Sequence, residues 1–360
     1  MEYIDEYRNP ERIRQLVSQI RRISRKPVTL MEVCGTHTVT VFRNGIREIL
    51  PDHIKLISGP GCPVCVTPIE GIDQAVGLAQ RREVTIATFG DMIRVPGSET
   101  SLLKQRGEGA DVRVVYSAYD ALRLAQENQD RQVVFLGVGF ETTSPTVAAV
   151  IQRARRNRIG NFTVLSMHKV LPPALETLVQ SQELGIDGLI CPGHVSTIIG
   201  SQPYGPLADR FHVPCVVAGF EPVDVLQATV LLVRQIERGE AKVEIQYRRA
   251  VSPEGNLRAR EVLKEVFEPC DSVWRGFGRL PGSGLKIKAS YDAFDVGLRY
   301  EIPPGKAKEP EGCRCGDILR GLSRPLDCSL FRKVCTPENP VGACMVSSEG
   351  TCSAYYKYSS

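Results

Sequence analysis

The chain reads as an α/β protein: two similar parallel-sheet α/β domains and a cysteine-rich C-terminal part packed with the N-terminal helix. Three observations lead there. From Lys26 to about Val233, short β-branched apolar runs alternate with amphipathic helical stretches, the mark of βαβ units. Three motifs of the first half recur in order in the second. Six of the twelve cysteines crowd between Cys313 and Cys352, where long apolar runs are scarce and something other than a hydrophobic core must hold the chain. The 360 residues, 42% hydrophobic, suffice for two or three domains.

The first element is a helix over residues 11–24, which sets Ile13, Leu16, Val17, Ile20 and Ile23 on one stripe that must dock on a neighbour. Its arginine-rich face is expected to be solvated. Strands follow at residues 28–33, 54–58, 84–89, 112–116, 133–138, 162–167, 188–191 and 213–218. Between them lie helices at 69–82, 118–128, 146–158, 172–184 and 223–238. TLMEVCGTHTV aligns with FTVLSMHKV, placing His168 131 residues after His37. ISGPGCPVC aligns with LICPGHVST, and TIATFG with VVAGFE, at nearly the same separation. A tandem duplication explains this, with domains at 26–129 and 130–235 and a third part made of 1–25 and 236–360.

Charge and hydropathy exclude two classes of partner. Forty-five basic and 41 acidic residues leave a net charge of +4, with no basic block interleaved by aromatics, so nucleic acid is not expected. No apolar run of membrane-spanning length exists, and the first residues carry acids and no apolar h-region. A cytoplasmic protein is expected, and there a cysteine cluster is a metal site rather than a disulfide framework.

Strand-end loops carry the unusual residues, as open α/β sheets predict. In MEVCGTHT, Cys34 precedes a helical pattern and His37 lies three residues on; the helix dipole and an imidazolium would favour a thiolate there. GPGCPVC sets Cys62 and Cys65 as C-x-x-C, a spacing that serves a redox disulfide, half a zinc site or two thiolates on a softer metal. No second pair lies close by, which favours the redox or catalytic use. Glu141 in GFETTSP and His194 in CPGHVS can each line a cleft or hydrogen-bond within their loops. GVGFETTSP lacks the G-x-G-x-x-G spacing, so no dinucleotide is expected. Cys191, Cys215 and Cys270 read as structural.

Taken together, MEVCGTHT, GPGCPVC, DMIRVPGS, GFETTSPT, CRCGDILRG and GACMVSSEG closely resemble the HypD family of [NiFe]-hydrogenase maturation proteins, across nearly the whole chain. The resemblance implies two α/β domains of like topology plus an iron–sulfur domain with a [4Fe-4S] cluster. It implies a scaffold, with the small partner HypC, on which an Fe(CN)2CO unit is built as transient cargo. HypE, charged through HypF, would deliver cyanide, and the hydrogenase large-subunit precursor would receive the unit through HypC. Cys34 would be a thiolate on that iron, which suits a soft donor. Cys62 and Cys65 would cycle between dithiol and disulfide beside it, with His37, Glu141 and His194 in the same site. Cys313, Cys328, Cys335 and Cys352, spaced C-x14-C-x6-C-x16-C, would hold the cluster. Cys315 and Cys344 are then substitutes, or thiols that exchange electrons with it. Similarity to ferredoxin:thioredoxin reductase implies electrons moving toward Cys62 and Cys65. Two rivals remain: an iron–sulfur thiol-disulfide oxidoreductase that assembles no iron, and an interaction protein with zinc in its tail.

Overall fold

A computed structural model describes residues 5–359 apart from Gln182, Pro303, Pro304 and Lys306. The chain carries two parallel sheets and one antiparallel hairpin. Sheet A is built from β1 (Val28–Glu32), β2 (Ile54–Ser58), β7 (Gly188–Pro192), β8 (Cys215–Ala218) and β9 (Val243–Ile245), in the order β2-β1-β7-β8-β9. Sheet B holds β3 (Val84–Thr88), β4 (Val112–Val114), β5 (Gln132–Gly137) and β6 (Phe162–Ser166), in the order β4-β3-β5-β6. The hairpin pairs β10 (Phe267–Trp274) with β11 (Gly278–Ile287).

Local structure follows the sequence closely. β3 and β8 are buried along their whole length, as expected of strands covered on both faces. The Ala118–Glu127 helix starts on Ser117, whose hydroxyl accepts from the Asp120 amide, and buries Ala118, Ala121, Leu122 and Ala125 on one stripe.

Strand pairing overturns the tandem division at 26–129 and 130–235. β1 pairs with β2 on one side and with β7 on the other. The whole of sheet B is therefore inserted between the second and third strands of sheet A. The proposed repeat fails with it: the strand before His37 is internal to sheet A, whereas the strand before His168 is an edge of sheet B. The two sheets are nonetheless alike, since each runs second, first, third, fourth in its own strand sequence.

The third unit is also corrected. The N-terminal helix (Pro10–Ile23) packs on the Pro222–Arg238 helix of sheet A, burying Val17 and Ile20 among Val225 and Leu226, and does not join the C-terminal part. An ion pair from Arg8 to Glu221 at 2.5 Å lies at the same junction. Of residues 236–360, β9 belongs to sheet A, and the Leu257–Val266 helix packs on the Ser144–Arg156 helix of sheet B. The cysteine-rich residues 313–358 share a core with sheet A. No helix of the described residues is long and apolar enough to cross a membrane.

Candidate metal and thiol site

In sheet A the strand order changes direction between β1 and β7, and ligands of open α/β sheets gather outside the carboxyl ends at such a point. Four sheet A loops meet there. β1 leads through Val33 to Cys34, the N-cap residue of the Gly35–Arg43 helix. β2 runs into Gly59–Cys65, β7 into His194, and β8 into Gly219 and Phe220. The β2 loop lies hard against β1: a Cβ on Gly61 would sit 2.3 Å from the Cys34 backbone, and the Gly35 amide donates to the Gly61 carbonyl at 3.1 Å. Gly is required at 61 for this approach.

The tail completes the crevice. The Thr36 hydroxyl donates to Glu349 Oε1 at 2.7 Å, and a Cβ on Gly35 would meet the Glu349 carbonyl at 2.5 Å. Tyr355 of the last helix (Thr351–Tyr358) stacks against Phe42, ring centroids 4.2 Å apart, and accepts from Arg47 Nη1 at 2.6 Å. Arg47 in turn pairs at 3.1 Å with Glu32, a fully buried carboxylate at the end of β1. Arg94, from DMIRVPGS, donates to the carbonyls of Pro337 and Val346 and ties the tail to sheet B.

Cys34 is not a ready thiolate. Burial, reinforced by the negative charge of Glu349, pushes its thiol up to about 11, against the amides of Thr36 and His37. The sequence expectation rested on an imidazolium beside it. His37 is instead fully buried and held down to about 4 by desolvation, and its Nε2 donates to the Gly219 carbonyl at 2.9 Å. Buried thiols keep their proton until a metal displaces it. His194 reaches the surface and rests on Phe220, ring centroids 4.0 Å apart, while His37 stacks on the same ring at 4.8 Å. Partial burial lowers the His194 pKa, so it is a neutral base facing the Glu349 side chain.

Cys62 and Cys65 are joined in a disulfide, with their Cα atoms 5.2 Å apart. Cys65 Sγ lies 3.9 Å from the carbonyl of Ala343, the residue before Cys344. All six tail cysteines line one small cavity of about 10 Å³ whose other walls include Ile318, Leu330, Phe331 and Met345. Cys315 and Cys344 are paired off, their sulfurs 2.8 Å apart. The Cys344 thiol is raised, chiefly by hydrogen bonding with Cys315 and then Cys352. Burial raises the Cys313 thiol, helped by the charges of Cys315, Cys352 and Cys328, and burial raises Cys335 too, with Cys352 and Cys328 adding to it. Soft thiols in an apolar pocket without carboxylates are a donor set that fits an iron–sulfur cluster. Among the described residues no three His, Cys, Asp or Glu side chains are gathered for a single ion.

Glu141 falls elsewhere. Its Oε1 accepts from the Leu171 amide at 3.0 Å, closing the start of the Leu171–Gln180 helix, and its Oε2 is buried without a partner. Cys191 and Cys215 are buried on neighbouring strands, and Cys270 is half-buried in the hairpin. Sequence reasoning missed Glu349, Phe220 and the buried Asp224–Arg249 pair (2.5 Å) behind Phe220. Only the length of GACMVSSEG and the Gly-Phe-Glu after β8 signalled them.

Buried groups set the acid response. Burial holds His37 near 4 and His168 near 3, and pushes Glu141 up to about 7. The unfolded chain protonates both histidines below about pH 6.5, so they weaken the fold as pH falls from there toward 4. Glu141 acts oppositely: its contribution is present below its ordinary 4.5 and lost as pH rises through 7. Glu32, also fully buried and raised by desolvation, acts with Glu141, so the clean reading is His168, which alone should cost on the order of 2 kcal/mol between pH 7 and pH 5. Urea unfolding at the two pH values checks this, and His168→Asn should flatten the profile.

A family model described as "HypD: Hydrogenase formation hypA family" matches residues 11–359. The chain is 47% identical over 367 residues to the hydrogenase maturation factor HypD of Azotobacter vinelandii, covering 99% of this chain and 97% of that one. It is 45% identical over 368 residues to the protein of the same name from Escherichia coli (strain K12), covering 99% and 98%. Against that of Rhizobium leguminosarum bv. viciae it is 46% identical over 368 residues, covering 99% and 96%. The chain therefore belongs to the HypD family of hydrogenase maturation factors.

Proposed function

We propose that this chain is a scaffold and redox protein for building the Fe(CN)2CO unit of [NiFe]-hydrogenases. In this reading Cys34 gives one thiolate to the iron and a HypC partner gives another. Cyanide comes from HypE, charged through HypF, and the finished unit leaves through HypC for the hydrogenase large-subunit precursor. The observation that carries the reading is the meeting at one crevice of the Cys34 loop, the loop of the Cys62–Cys65 disulfide, and the tail, whose Glu349 accepts from Thr36 and whose Ala343 carbonyl lies 3.9 Å from Cys65 Sγ.

Each of the chain's own groups has a task in this scheme. Ligation of Cys34 releases its proton, and the Glu349 carboxylate, whose charge bears on this thiol, is placed to receive it. We assign a [4Fe-4S] cluster to Cys313, Cys328, Cys335 and Cys352, because Cys315 and Cys344 are already paired with each other. When bound, that cluster would supply electrons singly. Oxidation of Cys315 and Cys344 to a disulfide gives up two electrons and two protons, and reduction of the Cys62–Cys65 disulfide takes up the same number. The position of Ala343 between the two pairs supports exchange between them.

Infrared spectroscopy of the complex with a HypC partner, isolated from cells that make all the maturation factors, tests the reading. Bands of iron-bound cyanide and CO are expected. Their absence, together with retained disulfide-reducing activity, would leave a thiol-disulfide oxidoreductase resembling ferredoxin:thioredoxin reductase. A colourless preparation with stoichiometric zinc would leave an interaction protein.

A further inference from the structure

Sheet B ends on a strand that no other strand covers. Among the described residues β4 pairs only with β3. The Ile86 amide donates to the Asp111 carbonyl and the Val115 amide to the Thr88 carbonyl, both at 2.9 Å. Residues 111, 113 and 115 are thus turned toward β3, and the alternation of a parallel ladder directs the amide and carbonyl of Val114 to the open side. Natural proteins usually blunt such edges with a charge, a proline or a covering element. Here the edge carries Val114 (39% exposed) and Tyr116 (93%), which line one groove. Clustered exposed apolar side chains rimmed by charge mark interaction sites.

The rim is rich in arginine. Two grooves of about 930 and 430 Å³ run along this edge and share Arg106 and Arg113. The larger also takes Arg81, Arg82 and Arg131, against the acids Glu108 and Asp111. Asp111 serves both Arg113 (2.5 Å) and Arg131 (3.4 Å), while Arg82 and Arg106 make no ion pair among the described residues. Guanidinium groups so placed favour carboxylates, which they grip through two parallel hydrogen bonds. Arg82, Asp111 and Arg131 stand just ahead of β3, β4 and β5. The larger groove therefore lies at the amino ends of sheet B and the smaller runs past the carboxyl end of β4, whereas the Cys34 crevice lies at carboxyl ends of sheet A.

We propose that the β4 edge is a docking surface for an extended acidic segment of a partner protein. The segment adds as a strand beside β4, exchanging backbone hydrogen bonds at Val114. Its apolar side chains cover Val114 and Tyr116, and its carboxylates reach Arg106 and Arg113. A nucleic acid fits less well. A phosphate chain has no paired backbone donor and acceptor to offer Val114.

Fluorescence anisotropy of the full-length protein with a labelled peptide of alternating Glu and Val tests the proposal. The controls are an alternating Lys/Val peptide, a Glu/Val peptide of scrambled order, and a single-stranded oligonucleotide of matching charge. Binding of the alternating Glu/Val peptide alone is expected, with slowed amide exchange over residues 112–116. The double variant Arg106→Glu/Arg113→Glu should weaken it by about tenfold or more, as removal of close charge pairs does. Val114→Pro removes the outward amide while every charge stays, and should weaken binding comparably. Both variants change exposed positions, and unaltered unfolding curves will show that the fold is kept. Three outcomes overturn the proposal: no peptide binding, equal binding of the scrambled peptide or the oligonucleotide, or concentration-dependent self-association through this edge.

Discussion

Cys34→Ala should abolish the infrared bands of iron-bound cyanide and CO on the complex while leaving the brown iron–sulfur colour unchanged. Cys34 is a lone buried thiol on its loop, and its nearest neighbours are backbone, Glu349 and neutral histidine, so no other thiol on that loop can take its place. Cys62→Ala and Cys65→Ala should also keep the colour, yet fail differently. They retain the Cys34 thiolate and should still bind the HypC partner, but they cannot close the disulfide that carries two electrons. Iron should then be recruited without acquiring its full set of diatomic ligands. Thiol titration before and after mild reduction gives the state of the pair in solution. A dithiol that never oxidises under mild conditions would remove the redox role and make these two cysteines direct metal ligands.

Cys328→Ser or Cys335→Ser should give a nearly colourless protein, with iron and sulfide falling from a full cluster to background. Residues 313–358 bury few large apolar side chains of their own. They contain short helical turns at Cys315–Leu319 and Ala343–Val346, and only their last helix exceeds two turns. In the proposed cluster, metal–thiolate bonds would supply much of their folding free energy. Limited proteolysis should cut this segment in the variants and spare it in the parent, with sheets A and B intact in both. Cys315→Ser and Cys344→Ser should keep the cluster, because their sulfurs already face each other at 2.8 Å. If iron is lost in Cys315→Ser and kept in Cys313→Ser, the assignment of ligands fails.

Local elements were legible in the sequence, and their assembly was not. All eight expected strands exist within a residue or two, because each is a β-branched run bounded by turn residues. The hairpin β10–β11 was missed because Pro269 and Pro281 lie inside its strands and demote any strand reading. Which strand joins which sheet is a nonlocal matter. Parallel edges rich in Val and Ile pair equally well with several partners, and the likeness of His37 to His168 loops pointed to a false repeat. The cysteines of the crevice were legible because their types and spacings are chemically unusual. Their protonation was not, since the thiol of Cys34 depends on how deeply Gly61 and Glu349 bury it.

The insertion of sheet B within sheet A bears on how the chain folds as it leaves the ribosome. β1 and β2 emerge first but cannot complete their sheet until β7 and β8 have followed. Sheet B emerges whole in the interval and can close by itself. During that time the apolar faces of β1 and β2, and the thiols of Cys34, Cys62 and Cys65, remain uncovered and open to oxidation or to wrong pairing. The tail that shields them is made last of all. Nascent HypD chains stalled before residue 188 should accordingly engage chaperones through residues 28–58, and release them once β7 is available.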